Sequence, residues 1–223
     1  MIGTVILKAV VGSTAYGLDH AGSDIDYLGC FVAPTESFLG LHAPEQTHVT
    51  HAPDQTMHEV GKLVSLLLKC NPTVTELLWM NEYEVCTEEG YELCNRRHLF
   101  LSAKYVRDAH LGYATQQFRK LSDRGGTFSS DTIHRTEKHA RHLMRLCKQG
   151  YDFYATGHLS VKLDDPLLYM AFGEAVAKDP MVAADLINSY EHKFDYTRSP
   201  LPEQPDTEAI DDWLVSIRRR FLS

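Results

Sequence analysis

Thr4-Val5-Ile6-Leu7-Lys8-Ala9-Val10-Val11, broken off at Gly12-Ser13, is the stretch on which the fold turns. It is β-branched and apolar, long enough for a buried strand, and it stops at the glycine. Gly12-Ser13 then opens Thr14-Ala15-Tyr16, which reads as the first turns of a helix. A glycine at such a junction lets the backbone come close to a ligand, and the free N–H groups at a helix start favour an anion. The serine hydroxyl adds a donor. After the turn signal His20-Ala21-Gly22-Ser23, residues 24–32 read as a second strand. Residues two apart on a strand share a face, which sets Asp24 and Asp26 side by side and turns Ile25 toward the core. Two carboxylates held that close repel unless a cation lies between them. With phosphates present, Mg²⁺ or Mn²⁺ is the natural cation. A phosphate cradle followed by paired carboxylates points to metal-assisted nucleotidyl transfer.

Gly12-Ser13-Thr14-Ala15-Tyr16-Gly17, with Ser23-Asp24-Ile25-Asp26-Tyr27-Leu28-Gly29, resembles the signature of the DNA polymerase beta-like nucleotidyltransferase superfamily. In particular it resembles the nucleotidyltransferases grouped with RNA-repair genes in bacteria and phages. His58-Glu59-Val60-Gly61-Lys62, leading into Lys69-Cys70-Asn71-Pro72-Thr73-Val74-Thr75-Glu76-Leu77-Leu78, is similar to the next block of that family. Gly112-Tyr113-Ala114 with Gln116, and Lys138-His139-Ala140-Arg141-His142-Leu143-Met144-Arg145-Leu146, resemble its helical C-terminal blocks. The likeness runs over roughly residues 5–175. It implies an NTP substrate whose β- and γ-phosphates rest on Gly12 and Ser13, and two Mg²⁺ or Mn²⁺ ions held by Asp24, Asp26 and a third carboxylate on a neighbouring strand.

Asp54 and Glu59 are the candidates for that third carboxylate. Thr56-Met57-His58-Glu59 fits a capping box, with Thr56 as N-cap and Glu59 folding back onto its N–H. Behind it Val60, Leu63, Val64 and Leu67 recur at i, i+3, i+4 and i+7, the core stripe of a helix ending at Asn71-Pro72. Glu59 then has a structural task, whereas Asp54 lies in the extended run before the helix, so Asp54 is favoured. Pro53 beside it departs from the family's apolar neighbours.

The net charge of −8 is unevenly spread. Residues 1–95 carry three Lys/Arg against thirteen Asp/Glu, residues 149–223 seven against thirteen, and residues 96–148 twelve against four. The middle segment is therefore a basic block in an acidic protein. Within 134–148, Ala140, Leu143, Met144 and Cys147 make an apolar stripe, and Arg135, Lys138, His142 and Arg145 fall on the opposite side. A core-facing helix with a solvated basic face accounts for this pattern. The family resemblance favours a second account, in which Lys138, His142 and Arg145 meet nucleotide or acceptor phosphates. The block supports a nucleic-acid acceptor, an RNA end. The overall acidity suits instead a protein or small-molecule acceptor, and a non-catalytic nucleotide-binding protein is the third class, weakened by the presence of both Asp24 and Asp26.

No hydrophobic stretch is long enough to span a bilayer, and the apolar start of the chain is too short for a signal peptide. Five cysteines without Cys-x-x-Cys spacing indicate neither a disulfide framework nor a zinc ribbon, and a reducing cytoplasm is the expected setting. His134, His139 and His142 share a helix but lack convincing partners for zinc. Gly125-Gly126-Thr127-Phe128-Ser129-Ser130 reads as a loop and the Pro-bearing residues 195–206 as a linker. Beyond it Ile210, Trp213, Leu214, Ile217 and Phe221 keep helical spacing, with Arg218-Arg219-Arg220 suited to the negative end of a docking helix. The expected class is α/β (α+β): a small mixed-sheet catalytic core over residues 1–95, then a mainly helical part over 96–223 that closes the cleft.

Overall fold

Strand β1 (Thr4–Val11) forms where the apolar run predicts it, with Ile6 and Leu7 both buried. They are adjacent yet both inward because the register with β2 (Asp26–Val32) shifts between Val5 and Leu7. Such an irregularity breaks the strict alternation of faces. Helix α1 (Gly12–Tyr16) connects the two strands and closes at Gly17, whose left-handed backbone brings its N–H back onto the helix. β3 (Thr47–His51) and β4 (Asp54–Glu59) complete one side and the short β5 (Val85–Cys86) the other, giving the order β3-β4-β2-β1-β5. Among the described residues only the β2–β4 pair is parallel, so the sheet is mixed, as expected. Central β2 is buried from Leu28 to Val32, and a side chain at Gly29 would collide with the Leu7 carbonyl and Met57.

The structure is a computed structural model and describes residues 3–20, 22–122 and 130–222. The glycine loop expected from Gly125 lies outside the described residues. Helices α2 (Val60–Leu67), α3 (Pro72–Leu77) and α4 (Glu88–Asn95) follow the sheet strands. α5 (Ala103–Ser122), α6 (Ser130–Thr156), α7 (Pro166–Lys178) and α8 (Met181–Tyr196) then precede α9 (Thr207–Arg220). The chain divides into two compact units, residues 1–102 with 204–223, and residues 103–203. The division therefore differs from the one expected at residue 95: α9 belongs with the sheet, not with the other helices.

Side chains explain that return. Ile210, Trp213 and Ile217 bury the apolar stripe of α9. Arg218 grips both oxygens of Glu59 at 2.6 and 2.8 Å, and Arg220 grips both oxygens of Glu92 at 3.0 and 2.7 Å. The Trp213 indole N–H also donates to Glu92, at 2.9 Å. These arginines thus find carboxylate partners, beyond the helix-dipole role expected from their position.

The capping box also needs correction. Thr56 lies inside β4, and Glu59 itself is the N-cap of α2, accepting from the Gly61 N–H at 2.8 Å. Extended backbone persists to Glu59 because β4 is paired on both sides, with β2 and with β3. The stripe behind it, Val60, Leu63, Val64 and Leu67, is buried as expected.

Residues 103–203 pack around α6, whose Ala140, Leu143, Leu146 and Cys147 meet Val176 of α7 and Ile187 of α8. This unit begins and ends at one point, where the Ala103 N–H donates to the Pro202 carbonyl at 2.9 Å. No helix among the described residues is long and apolar enough to cross a membrane.

Candidate active site

The β1–α1 junction and the start of β2 meet at Gly12 and Asp26. Val11 is the register partner of Asp26, and Gly12 has φ +72°. A Cβ on Gly12 would run into the Asp26 carboxylate, so bare backbone is required both by conformation and by space. Among the described residues no side chain caps the start of α1. Its other end is held from below: the Tyr16 hydroxyl donates to Glu76 Oε2 at 2.7 Å, and Glu76, on α3, is only 1 % exposed.

Asp26 is also the register partner of Asp54 across the parallel β2–β4 pair. Paired residues of neighbouring strands project to the same side of a sheet, about 5 Å apart. Two of the three expected carboxylates are therefore neighbours at one end of the sheet, beside Gly12. Asp24 is placed differently. β2 begins only at Asp26, so the shared-face argument does not reach Asp24, which is exposed in the turn before the strand. Ile25 is 50 % exposed and does not enter the core as expected. The turn is closed locally, with the Ser23 N–H donating to the His20 carbonyl and the His20 N–H to Ser23 Oγ. That closure keeps residues 24 and 25 out of the sheet.

Glu59 stands at the far end of β4, five residues from Asp54, a span of roughly 17 Å at 3.3 Å per residue. Bound to Arg218 and capping α2, it is structural, and Asp54 is the carboxylate beside Asp26. Among the described residues no three His, Cys, Asp or Glu side chains cluster tightly enough to form a ready-made metal cage. Mg²⁺ is commonly held by one or two carboxylates together with substrate phosphates. The oxygen-only pair Asp26–Asp54, next to a backbone suited to phosphate, fits that hard cation.

The expected phosphate-binding residues of α6 lie in the other unit, and their surroundings differ. Lys138 is exposed. Arg145, expected on the outer face, is only 1 % exposed, with Nη1 donating to Gln149 Oε1 at 2.7 Å and Nη2 to His142 Nδ1 at 3.1 Å. Burial, with Arg145 beside it, holds the His142 imidazole down to about 3, so it is neutral at physiological pH. α6 is packed by α5, α7 and α8, and a basic residue on the flank of its apolar stripe is covered rather than solvated. His139 bonds Gln117 and His134 pairs with Glu137, so the three histidines of α6 face different partners.

Sequence reasoning missed Glu76. Its signal was present, an acid inside the apolar run Val74-Thr75-Glu76-Leu77-Leu78-Trp79, where an unpartnered carboxylate is costly.

The model of the RNA repair pathway DNA polymerase beta family matches residues 3–159. No curated protein matches the chain. A solved structure of a nucleotidyltransferase-like protein from Exiguobacterium sibiricum 255-15 is similar at 12% identity over 97% of this chain and 74% of that one, with a TM-score of 0.33. So loose a likeness carries no argument.

Proposed function

The chain belongs to the RNA repair pathway DNA polymerase beta family and is a nucleotidyltransferase, and from that premise we propose that it moves an NMP from an NTP to the hydroxyl of an RNA end. The observation that supports this most is the register pairing of Asp26 with Asp54 beside the bare backbone of Gly12.

In this reading Gly12 and Ser13 hold the β- and γ-phosphates through backbone N–H groups and the serine hydroxyl. Asp26 and its register partner Asp54, with Asp24 from the turn before β2, would hold two divalent ions. Bound there, Mg²⁺ or Mn²⁺ neutralises phosphate charge and lowers the pKa of the attacking hydroxyl. The acceptor oxygen forms its bond to the α-phosphorus as the bond to the bridging oxygen of pyrophosphate breaks in line. Tyr16 and Glu76 keep the phosphate turn in place beneath the substrate. Positioning and charge neutralisation, with no covalent enzyme intermediate, supply the rate.

The test offers each labelled NTP with Mg²⁺ or Mn²⁺ to RNA, DNA and the protein itself. Label on RNA is the expected result. Label on the protein alone would move the acceptor to a polypeptide, in keeping with the net charge of −8. Absence of label from every acceptor would overturn the reading.

A further inference from the structure

One end of the sheet carries a continuous row of paired residues. Val11 is the partner of Asp26, Asp26 of Asp54, and Asp54 of His51, across β1, β2, β4 and β3 in that spatial order. Partners project to the same side of a sheet about 5 Å apart, so His51 stands beside Asp54 as Asp54 stands beside Asp26. Gly12, pressed against Asp26, lies toward the opposite end of the row. Only Ala52 and Pro53 separate His51 from Asp54, and the Thr50 hydroxyl donates to the Pro53 carbonyl at 2.8 Å, which ties the turn that carries both side chains. His51 itself is exposed.

In-line displacement gives this row a direction, because the entering and leaving oxygens lie on opposite sides of the α-phosphorus. With pyrophosphate leaving on the Gly12 side, the attacking hydroxyl enters on the Asp54 side, and the rest of the acceptor comes in over β3. The chain is composed differently there. Residues 1–95 hold thirteen Asp/Glu, yet between Glu45 and Glu59 the single acid is Asp54, in a stretch that carries His48, His51 and His58. A polyanion approaching the carboxylates along this hairpin meets less repulsion than elsewhere on the same segment. Two residues along the same face from His51 is Val49, paired with Thr56 and 49 % exposed. Two further on, Thr47 Oγ1 and His58 Nδ1 satisfy one another at 2.9 Å. The open part of the face is thus an imidazole next to Asp54 with an apolar side chain behind it.

We propose that the β3–β4 face is the acceptor side of the active site and that His51 determines its specificity, hydrogen-bonding the 2′-hydroxyl of the acceptor's terminal ribose while Val49 supports the sugar and base behind it. The proposal rests on the reading of the protein as an RNA-directed nucleotidyltransferase. A 3′-hydroxyl attacking beside Asp54 brings the 2′-hydroxyl of the same ribose within reach of a side chain about 5 Å from that carboxylate. The 2′-hydroxyl both donates and accepts, as an imidazole does, and it is the group by which RNA is told from DNA. His51 therefore selects the acceptor and has no part in holding the triphosphate.

The full chain is titrated by fluorescence anisotropy, in Mg²⁺ and without NTP, against two short labelled RNAs that differ only in a ribose or a 2′-deoxyribose at the 3′ end. Wild type should bind the ribose end about threefold to tenfold more tightly, the span of one hydrogen bond. His51→Ala should bind both RNAs alike, at the level of the deoxy end, with its urea midpoint unchanged because the side chain is exposed. Binding of inorganic triphosphate, followed by calorimetry, should not change in this variant. Val49→Glu puts an acid on the open face and should weaken both RNAs by about threefold or more at low salt, again without effect on triphosphate. The proposal is overturned if wild type binds neither RNA or shows no preference, if His51→Ala keeps the preference, if Val49→Glu binds RNA as wild type does, or if the His51 change weakens triphosphate as much as RNA. A His51-dependent preference without transfer to any acceptor would overturn the proposed reaction and leave the acceptor site standing. Transfer to RNA with the preference intact in His51→Ala would do the reverse.

Discussion

Replacing Arg218 by Ala should cost the sheet-bearing unit about 3 kcal/mol or more. Glu59 is 2 % exposed and receives two hydrogen bonds from Arg218 and one from the Gly61 N–H. Without the guanidinium, an ionised carboxylate stays buried with one of those three donors. Removing one partner of a buried pair costs about 3–5 kcal/mol, against at most about 1 for an exposed pair. The lower end applies because the Arg218 side chain is itself 20 % exposed. Its guanidinium also lies 4.2 Å from the Phe38 ring centre, worth about 0.5–1 kcal/mol. Both tryptophans, Trp79 and Trp213, belong to this unit, so their fluorescence in urea follows it selectively. With m near about 1–3 kcal/mol/M, the midpoint should fall by roughly 1–3 M. Arg218→Met with Glu59→Gln removes the stranded charge and should cost less than the two single changes added together. A shift below about 1 kcal/mol for Arg218→Ala, or strict additivity in the double variant, would refute the view that Glu59 is bound into a structural pair.

Asp26→Asn and Asp54→Asn should each lower NMP transfer by orders of magnitude while urea stability holds or rises, since each relieves carboxylate repulsion; full activity in either variant would remove the two-carboxylate mechanism. Tyr16→Phe deletes the donor to buried Glu76 and should cost about 1–3 kcal/mol in the same titration, together with a raised KM for the NTP; a stability loss with KM unchanged would leave Tyr16 purely structural. Burial holds the imidazole of His110 down to about 4, below its ordinary 6.5. The folded state then binds fewer protons than the unfolded one, so this contribution is complete above about pH 6.5 and is lost as the pH falls toward 4, by up to about 3 kcal/mol. His142 acts in the same direction, and His110→Leu should flatten the fall in stability measured between pH 7 and 4 without abolishing it.

The strand-glycine-strand core is legible in the sequence because its signals are local: a β-branched run, a glycine where the backbone must approach a carboxylate, and a helix stripe from Val60 to Leu67. The structural task of Glu59 is legible for a partly mistaken reason. The pattern at Thr56 suggests a capping box, yet the physical ground is that Glu59 caps α2 itself and binds Arg218, a residue 159 positions away. Pairings of that range leave no trace in periodicity. The same limit explains α9, whose amphipathic pattern announces a buried face without saying what covers it. The burial of Arg145 escapes the sequence for a related reason: an angular position on a helical wheel says which side a residue takes, but not that a second helix covers that side as well. Asp24 shows the weakness of strand boundaries, since two residues of extra turn suffice to void a face argument.

The meeting of Ala103 with Pro202 has a consequence for how the chain is made. Residues 103–203 are one uninterrupted stretch, and that stretch can close its own ends once Pro202 is clear of the ribosome. The sheet, by contrast, is begun first and completed after it, since Arg218 and Trp213 are synthesised after the whole inserted unit. Until Arg218 is available Glu59 lacks its arginine, and the incomplete sheet should be more open to proteases than the finished one. Folding order should therefore run inside out, the inserted helices before the surrounding sheet. Chains ended at residue 203 and released from the ribosome should show protease-resistant helices attached to a cleavable amino-terminal part. The same geometry makes residues 103–203 a cassette: a short bridge from Ser102 to Gln204 spans a gap that the fold itself has already brought nearly closed.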